Sequence, residues 1–212
     1  SSVAVGSVPF GMHIQGRYAY VTSNTGNRLD VVDISNSDAV SLTGSIGGLN
    51  APQKCWASGR YVFVCDTSAN LFRAVDVSNP AAPAFSGSIS ITSPSRVNVQ
   101  GRYAYVTSNS GTLCQFDVSN PTSISLTSSI TNIPTNQGGV VSDGRYVYVS
   151  GESPNAFVVV NTGAVDVPNV QTGSLKAQSG NFTGMLNTGD LYVRGGLIVQ
   201  GRIITEASTA LL

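Results

Sequence analysis

The sequence predicts an all-β protein made by repeating one small unit, and three observations predict it. The phrase Gly-Arg-Tyr-Ala/Val-Tyr/Phe-Val occurs four times, at Gly16–Val21, Gly59–Val64, Gly101–Val106 and Gly144–Val149. Its glycines stand 43, 42 and 43 residues apart, and a fixed spacing of this length marks an array of one supersecondary unit. β-branched and aromatic residues fall in short runs with no helical period, and Gly, Ser, Asn and Pro punctuate them as turn residues do.

The second copy shows the order of elements. Lys54-Cys55-Trp56-Ala57 is a short mixed run, closed by a turn at Ser58-Gly59-Arg60. Tyr61-Val62-Phe63-Val64-Cys65 is almost wholly apolar, as a strand buried on both faces must be. A polar loop, Asp66 to Asn70, leads to a second β-rich run, Leu71 to Val77, which Ser78-Asn79-Pro80 ends because proline cannot donate to a ladder. Ala84 to Ser90 is smaller and more polar, which suits an outer edge strand. Four antiparallel strands every 42 or 43 residues describe a β-propeller blade.

The other copies repeat these phrases. Val31-Val32-Asp33-Ile34-Ser35-Asn36, Ala74-Val75-Asp76-Val77-Ser78-Asn79-Pro80 and Gln115-Phe116-Asp117-Val118-Ser119-Asn120-Pro121 correspond, while the fourth copy degenerates to Val158-Val159-Val160-Asn161-Thr162. On these phrases, across residues 8 to 175, the chain resembles the LVIVD-repeat family, which implies propeller blades and no particular chemistry. The expected organisation is a partial blade at 1–8, full blades near 9–50, 51–92, 93–134 and 135–175, and a C-terminal β-rich extension at 176–212. Val3-Ala4-Val5-Gly6-Ser7-Val8 reads as the third phrase of a blade whose beginning is absent, so an incomplete larger ring is favoured over a closed ring of four. After Ser174 the texture changes to short apolar pairs between glycines, as in Leu191-Tyr192-Val193-Arg194-Gly195-Gly196-Leu197-Ile198-Val199. That stretch resembles shaft segments of phage and large DNA-virus fibre proteins, which implies a stalk and a homotrimer through 176–212; a fifth, worn repeat is the competing reading.

Composition narrows the function classes. Charged residues are 10% of the chain and the formal net charge is zero, so no basic patch exists on which phosphate-driven nucleic-acid affinity could be built. The recurring Arg17, Arg60, Arg102 and Arg145 read as hairpin residues on one rim. No apolar run approaches the roughly 20 residues that span a bilayer, so no membrane insertion is expected. Cys55, Cys65 and Cys114 make a poor disulfide framework. A two-residue Gly-Arg loop would put Cys55 and Cys65 on opposite faces of their hairpin, and a three-residue loop on the same face; sequence leaves the register open.

No catalytic residue, cofactor or metal site is expected. His13 is the only histidine, and no Cys-x-x-Cys pair accompanies it. Asp33, Asp76 and Asp117 recur in one phrase and are expected to accept backbone N–H groups of the following turn, as Asx turns do. Variable polar loops are the binding candidates, through Asn24, Asn27, Arg28, Asp66, Asn70, Asn109, Glu152 and Asn155. The expected function is a non-enzymatic virion-surface or fibre-type structural protein that attaches through its propeller loops. Its partners would be other virion or surface proteins and a host receptor or glycan. The alternatives are a secreted or cell-surface propeller binding a protein or glycan, and a propeller hydrolase or lyase. Location at a virion surface or outside the cell follows from the first two.

Overall fold

The computed structural model describes residues 1–162. The chain divides into two units, Ser1–Asp166 and Val167–Leu212, and the described residues all belong to the first. The expected boundary at 175 and the expected stalk at 176–212 fall outside the described residues.

Among the described residues there are fifteen strands and no helix. Blade 1 is the sheet β1(Pro9–Gln15)-β2(Tyr18–Ser23)-β3(Arg28–Asp33)-β4(Ser41–Ile46). Blade 2 is β5(Pro52–Ser58)-β6(Tyr61–Asp66)-β7(Leu71–Asp76)-β8(Ala84–Ser90). Blade 3 is β9(Pro94–Gln100)-β10(Tyr103–Ser108)-β11(Thr112–Asp117)-β12(Ser125–Thr131). Blade 4 shows β13(Thr135–Ser142)-β14(Tyr146–Ser153)-β15(Asn155–Asn161). All neighbours pair antiparallel in sequence order, which is the up-and-down connectivity of a propeller blade.

Turn chemistry sets the register. Ser58 pairs with Tyr61, and Gln15 with Tyr18, so Gly-Arg is a two-residue loop. Gly59 and Gly16 adopt φ of 61° and 60°, a conformation that glycine enters without a Cβ penalty and that type II′ hairpins need at their first position. The two-residue loop decides the cysteine question. Cys55 pairs with Val64, so Cys65 points to the opposite face, and all three cysteines are free and buried. Cys55 packs with Tyr20, Leu29 and Val31, whereas Cys65 packs with Phe72, Val106 and Phe116.

Those two sets are different seams. Each blade has a forward face that packs on the next blade and a backward face that packs on the one before. The seam between blades 2 and 3 joins Phe63, Phe72 and Ala74 to Val97, Val106 and Phe116, with Phe72 and Phe116 stacked at 5.4 Å between ring centroids. Full burial of such a ring contributes about 1.5–3 kcal/mol. The seam between blades 3 and 4 joins Tyr105, Leu113 and Ile133 to Val140, Val147 and Val149. Outer strands close on the next blade through glycine: a methyl group on Gly44 would overlap the Pro80 carbonyl oxygen, and one on Gly87 the Pro121 carbonyl oxygen. The inner strands follow one another, β1 against β5, β5 against β9 and β9 against β13, with no comparable packing of β13 on β1. The described blades therefore form an open arc.

Two sequence expectations change. Asp66 closes β6 and is fully buried rather than lying in a loop, because its carboxylate is claimed by the linker and by Arg73. Glu152 and Asn155 pair with each other at the end of the β14–β15 ladder, which extends through the expected loop.

Candidate functional site

The rim that carries the Gly-Arg loops repeats one ion pair. Arg17 pairs with Asp33, Arg60 with Asp76 and Arg102 with Asp117. The same carboxylates accept the amides of Ser35, Ser78 and Ser119 at 2.9 Å each, closing the Asp-x-Ser turn. The Arg60 guanidinium, then the Ser78 amide and hydroxyl, hold the Asp76 carboxyl down to about 2; the Arg102 guanidinium, then the Ser119 hydroxyl, do the same for Asp117, also to about 2. Asp33 is lowered too, chiefly by Arg17. Each arginine also lies over its neighbouring tyrosine ring, at 5.5 Å for Arg17, 5.2 Å for Arg60 and 5.3 Å for Arg102. In blade 4 Asn161 replaces the aspartate, and Arg145 keeps only the ring contact of this set, at 5.1 Å over Tyr146. Recurrence with neutralisation makes this rim a fold device.

The opposite rim carries the loops between second and third strands and the connections between blades. Its asparagines hold those connections. Asn27 and Asn70 sit at φ of 51° and 56°, and their side-chain oxygens accept the amides of Ala51 and Ser93 at 2.9 and 2.8 Å. Asn24 donates to the Pro52 carbonyl at 3.3 Å, and Asn109 donates to the Ser93 hydroxyl at 3.4 Å. Asp66 accepts the Asn50 amide at 2.6 Å and pairs with Arg73 at 2.6 Å. Arg28 pairs with the buried Asp30 at 2.8 Å, and Asp30 accepts the Gly6 amide at 2.8 Å. Of the candidate binding residues, Asn27, Asn70, Glu152 and Asn155 are exposed, the last two at the tip of blade 4. The structure does not bring the candidates together into one site.

The inner strands supply what sequence reading missed. His13 Nδ1 accepts the Ala57 amide at 3.1 Å, and its ring lies 4.2 Å from that of Trp56. Asn98 accepts the Ser142 amide at 3.0 Å, the same bond two blades later. A ring nitrogen that accepts a backbone N–H cannot take a proton without losing that bond, and burial lowers the His13 pKa further. Towards the linker rim, Lys54 and Arg96 flank the Phe10 ring, each 5.7 Å from its centroid. Arg96 is also bonded to Gln53 at 2.8 Å, and burial lowers its pKa. Ser95 donates to Gln137 at 2.9 Å, and Gln137, itself buried, donates to Ser108 at 2.8 Å. The signal for this polar belt was the variation at one position, His13, Trp56, Asn98 and Val141, within otherwise uniform repeats. Among the described residues no group of three His, Cys, Asp or Glu is placed to hold a metal ion.

Repeated four-stranded sheets, sequential antiparallel pairing and blade-to-blade apolar seams define a β-propeller type of scaffold. The LVIVD repeat model matches residues 11–47, 52–90 and 93–132, more than half of the chain, and the chain belongs to the LVIVD-repeat family. No curated protein matches the sequence. Among solved structures, the chain is similar to hydrazine synthase of Kuenenia stuttgartiensis at a TM-score of 0.64 and 15% identity, over 76% of this chain and 47% of that one. A provisionally named 6-phosphogluconolactonase of Bacteroides uniformis matches at 0.62 and 18%, over 71% of this chain and 52% of that one. The computationally designed Ika4 protein matches at 0.63 and 9%, over 76% of this chain and 95% of that one. The chain thus spans about half the length of the first two, and at these identities the likeness is one of fold.

Proposed function

We propose that the chain is a non-enzymatic structural and attachment module of a virion or other extracellular surface assembly. The observation that carries this reading is where the polar groups are used. The recurrent aspartates and arginines neutralise each other on one rim, and the asparagines and buried carboxylates of the other hold blade connections. His13 is committed to a neighbouring blade's amide. Acid–base catalysis needs a titratable group within hydrogen-bond reach of substrate and a partner to set its pKa; the exposed pair of this kind, Tyr148 donating to Asp143 at 2.8 Å, lies beside a hairpin turn whose amides the same carboxylate accepts, which supports a structural use of it. The likeness to a lactonase of 18% identity speaks for the shared fold. The fibre-like texture after Ser174 supports the surface assembly and the homotrimer, and Glu152 and Asn155, exposed at the tip of blade 4, are the polar side chains through which the rim would meet a receptor or glycan, Asn27 and Asn70 being exposed but bonded to blade connections.

Two assays test the reading together. A panel of lactones, phosphoesters and glycosides should show no turnover, and a glycan array should show binding that falls on Glu152→Ala or Asn155→Ala. Turnover that collapses in His13→Ala would overturn it in favour of a propeller hydrolase.

A further inference from the structure

The two ends of the arc expose the two halves of one seam. On the forward side, Leu29, Phe72 and Leu113 hold the same place in blades 1 to 3 and are 0%, 0% and 4% exposed, while Phe157 in blade 4 is 67% exposed. Val159 and Val141 beside it are also exposed. On the backward side, Cys55, Val97 and Val140 are 3%, 6% and 7% exposed, while Met12, their counterpart in blade 1, is 60% exposed, and Ile14 is exposed with it. The forward face of blade 4 is preassembled. Tyr148 and Phe157 stack at 5.9 Å and 22°, matching Phe63 and Phe72 at 5.8 Å and 21° in blade 2, where Phe116 of the next blade completes the stack.

Blade 1 is likewise built to receive a preceding blade. Residues 1–8 take the place of the blade connections. The Val8 carbonyl accepts the Asn24 amide at 2.8 Å, as Ser93 accepts that of Asn109 at 2.9 Å. Val8 has φ of 52°, beside 49° for Ala51, 48° for Ser93 and 50° for Asn136. A linker is therefore already seated where a blade belongs.

We propose that blade 4 of one copy of this chain packs on blade 1 of a second copy, and that two such contacts close a ring of two chains. The occupant follows from the faces: what fits a forward face in this molecule is a backward face of the same repeat, and each copy exposes Phe157 and Val159 on the first and the inner-strand Met12 and Ile14 on the second, whose Ala19 and Val32 are buried. Contacts of this head-to-tail kind either close or run on as a filament. Phe157, Val159, Met12 and Ile14 are apolar, and the charges nearest them are already partnered, Asp30 by Arg28 and the Gly6 amide and Asp143 by the Tyr148 hydroxyl, so association removes the four side chains from water without stranding a charge.

The internal seams name the pair to cross-link. His13 meets Ala57 and Asn98 meets Ser142, so Val141 meets Ile14 of the second copy. The full chain carrying Ile14→Cys and Val141→Cys together is oxidised and run on a denaturing, non-reducing gel; the three native thiols are buried and do not compete. The expected product is a two-chain species, and a mixture of the two single variants should cross-link while neither does alone. Phe157→Asp, an exposed substitution, should weaken pairing by at least tenfold in analytical ultracentrifugation with its thermal unfolding unchanged. A ladder of higher species, a disulfide within one chain, or no cross-link each overturns the two-chain ring: the first means a filament, the second a ring closed by four blades, the third a face covered by other polypeptide. These readouts do not depend on whether the protein is an enzyme.

Discussion

Blade 2 and blade 4 carry the same repeat and meet opposite fates. In blade 2 both faces are covered, and Phe72, Ala74, Val62 and Val64 are buried without remainder. In blade 4 only the backward face is covered: Val147 and Val149 are buried, while Phe157 and Val159 at the positions of Phe72 and Ala74 face outwards. The repeat specifies a sheet apolar on both sides. Whether each side is buried depends on a neighbour that the repeat itself cannot supply.

The comparison breaks most sharply at the matched phenylalanines. Phe72→Ala should cost about 3–5 kcal/mol, the range for deleting a buried ring, and Phe157→Ala within about 0.5 kcal/mol when the chain is dilute. Urea denaturation of both variants checks this, and equal losses would mean that blade 4 is covered on both sides. The carboxylates give the next contrast. Asp66→Ala leaves Arg73 and the Asn50 amide without their partner and should cost about 3–5 kcal/mol, whereas Asp76→Ala, at a half-buried carboxylate paired with an exposed arginine, should cost below about 1 kcal/mol. Midpoints of thermal unfolding separate them, and a loss at Asp76 as large as that at Asp66 would sink the distinction between the rims.

Seam closure is tested at glycine. Gly87→Ala should cost about 1–3 kcal/mol, because blade 3 must withdraw from the new methyl group. Ser128, in the third phrase of blade 3, takes that position one blade later, and Ser128→Ala should be neutral. The smallest effects are in pH. Asp76 and Asp117 have folded pKa values of about 2 against an ordinary 3.8, so their contribution is present above 3.8 and is lost as pH falls towards 2. His13 is lowered from 6.5, so its protonation favours the unfolded chain and stability declines as pH falls below 6.5. In unfolding curves across pH, His13→Gln should remove the upper step alone, and added salt should shrink the lower one.

The blades were legible because their signals are local. Period, Gly-Arg loops and Asp-x-Ser turns need only a few consecutive residues, and the strands and their order follow from them, whereas the register and the recurrent Arg–Asp pairs came from the structure. The candidate binding loops were not legible in the same way. Asn27 and Asn70 look like solvated turn residues in sequence, yet both hold the amide of a linker 23 or 24 residues away. Asp66 looked like loop because it follows an apolar run and precedes small polar residues, but Arg73 across the hairpin and Asn50 in the linker draw it inside.

By itself the sequence determined the unit: a hairpin at Gly-Arg, four strands in order and a proline stop. The length of that hairpin loop, and with it the opposite facing of Cys55 and Cys65, came from the structure, where Ser58 pairs with Tyr61. Only the tertiary structure decided which of the described copies of that unit are covered, that His13 serves a neighbour's backbone, and that Phe157 and Val159 on blade 4 and Met12 and Ile14 on blade 1 are exposed. Hydrogen bonding within a hairpin is local and repeats with the sequence, whereas burial is a property of the pair of blades, and blades 1 and 4 each have one neighbour among the described residues.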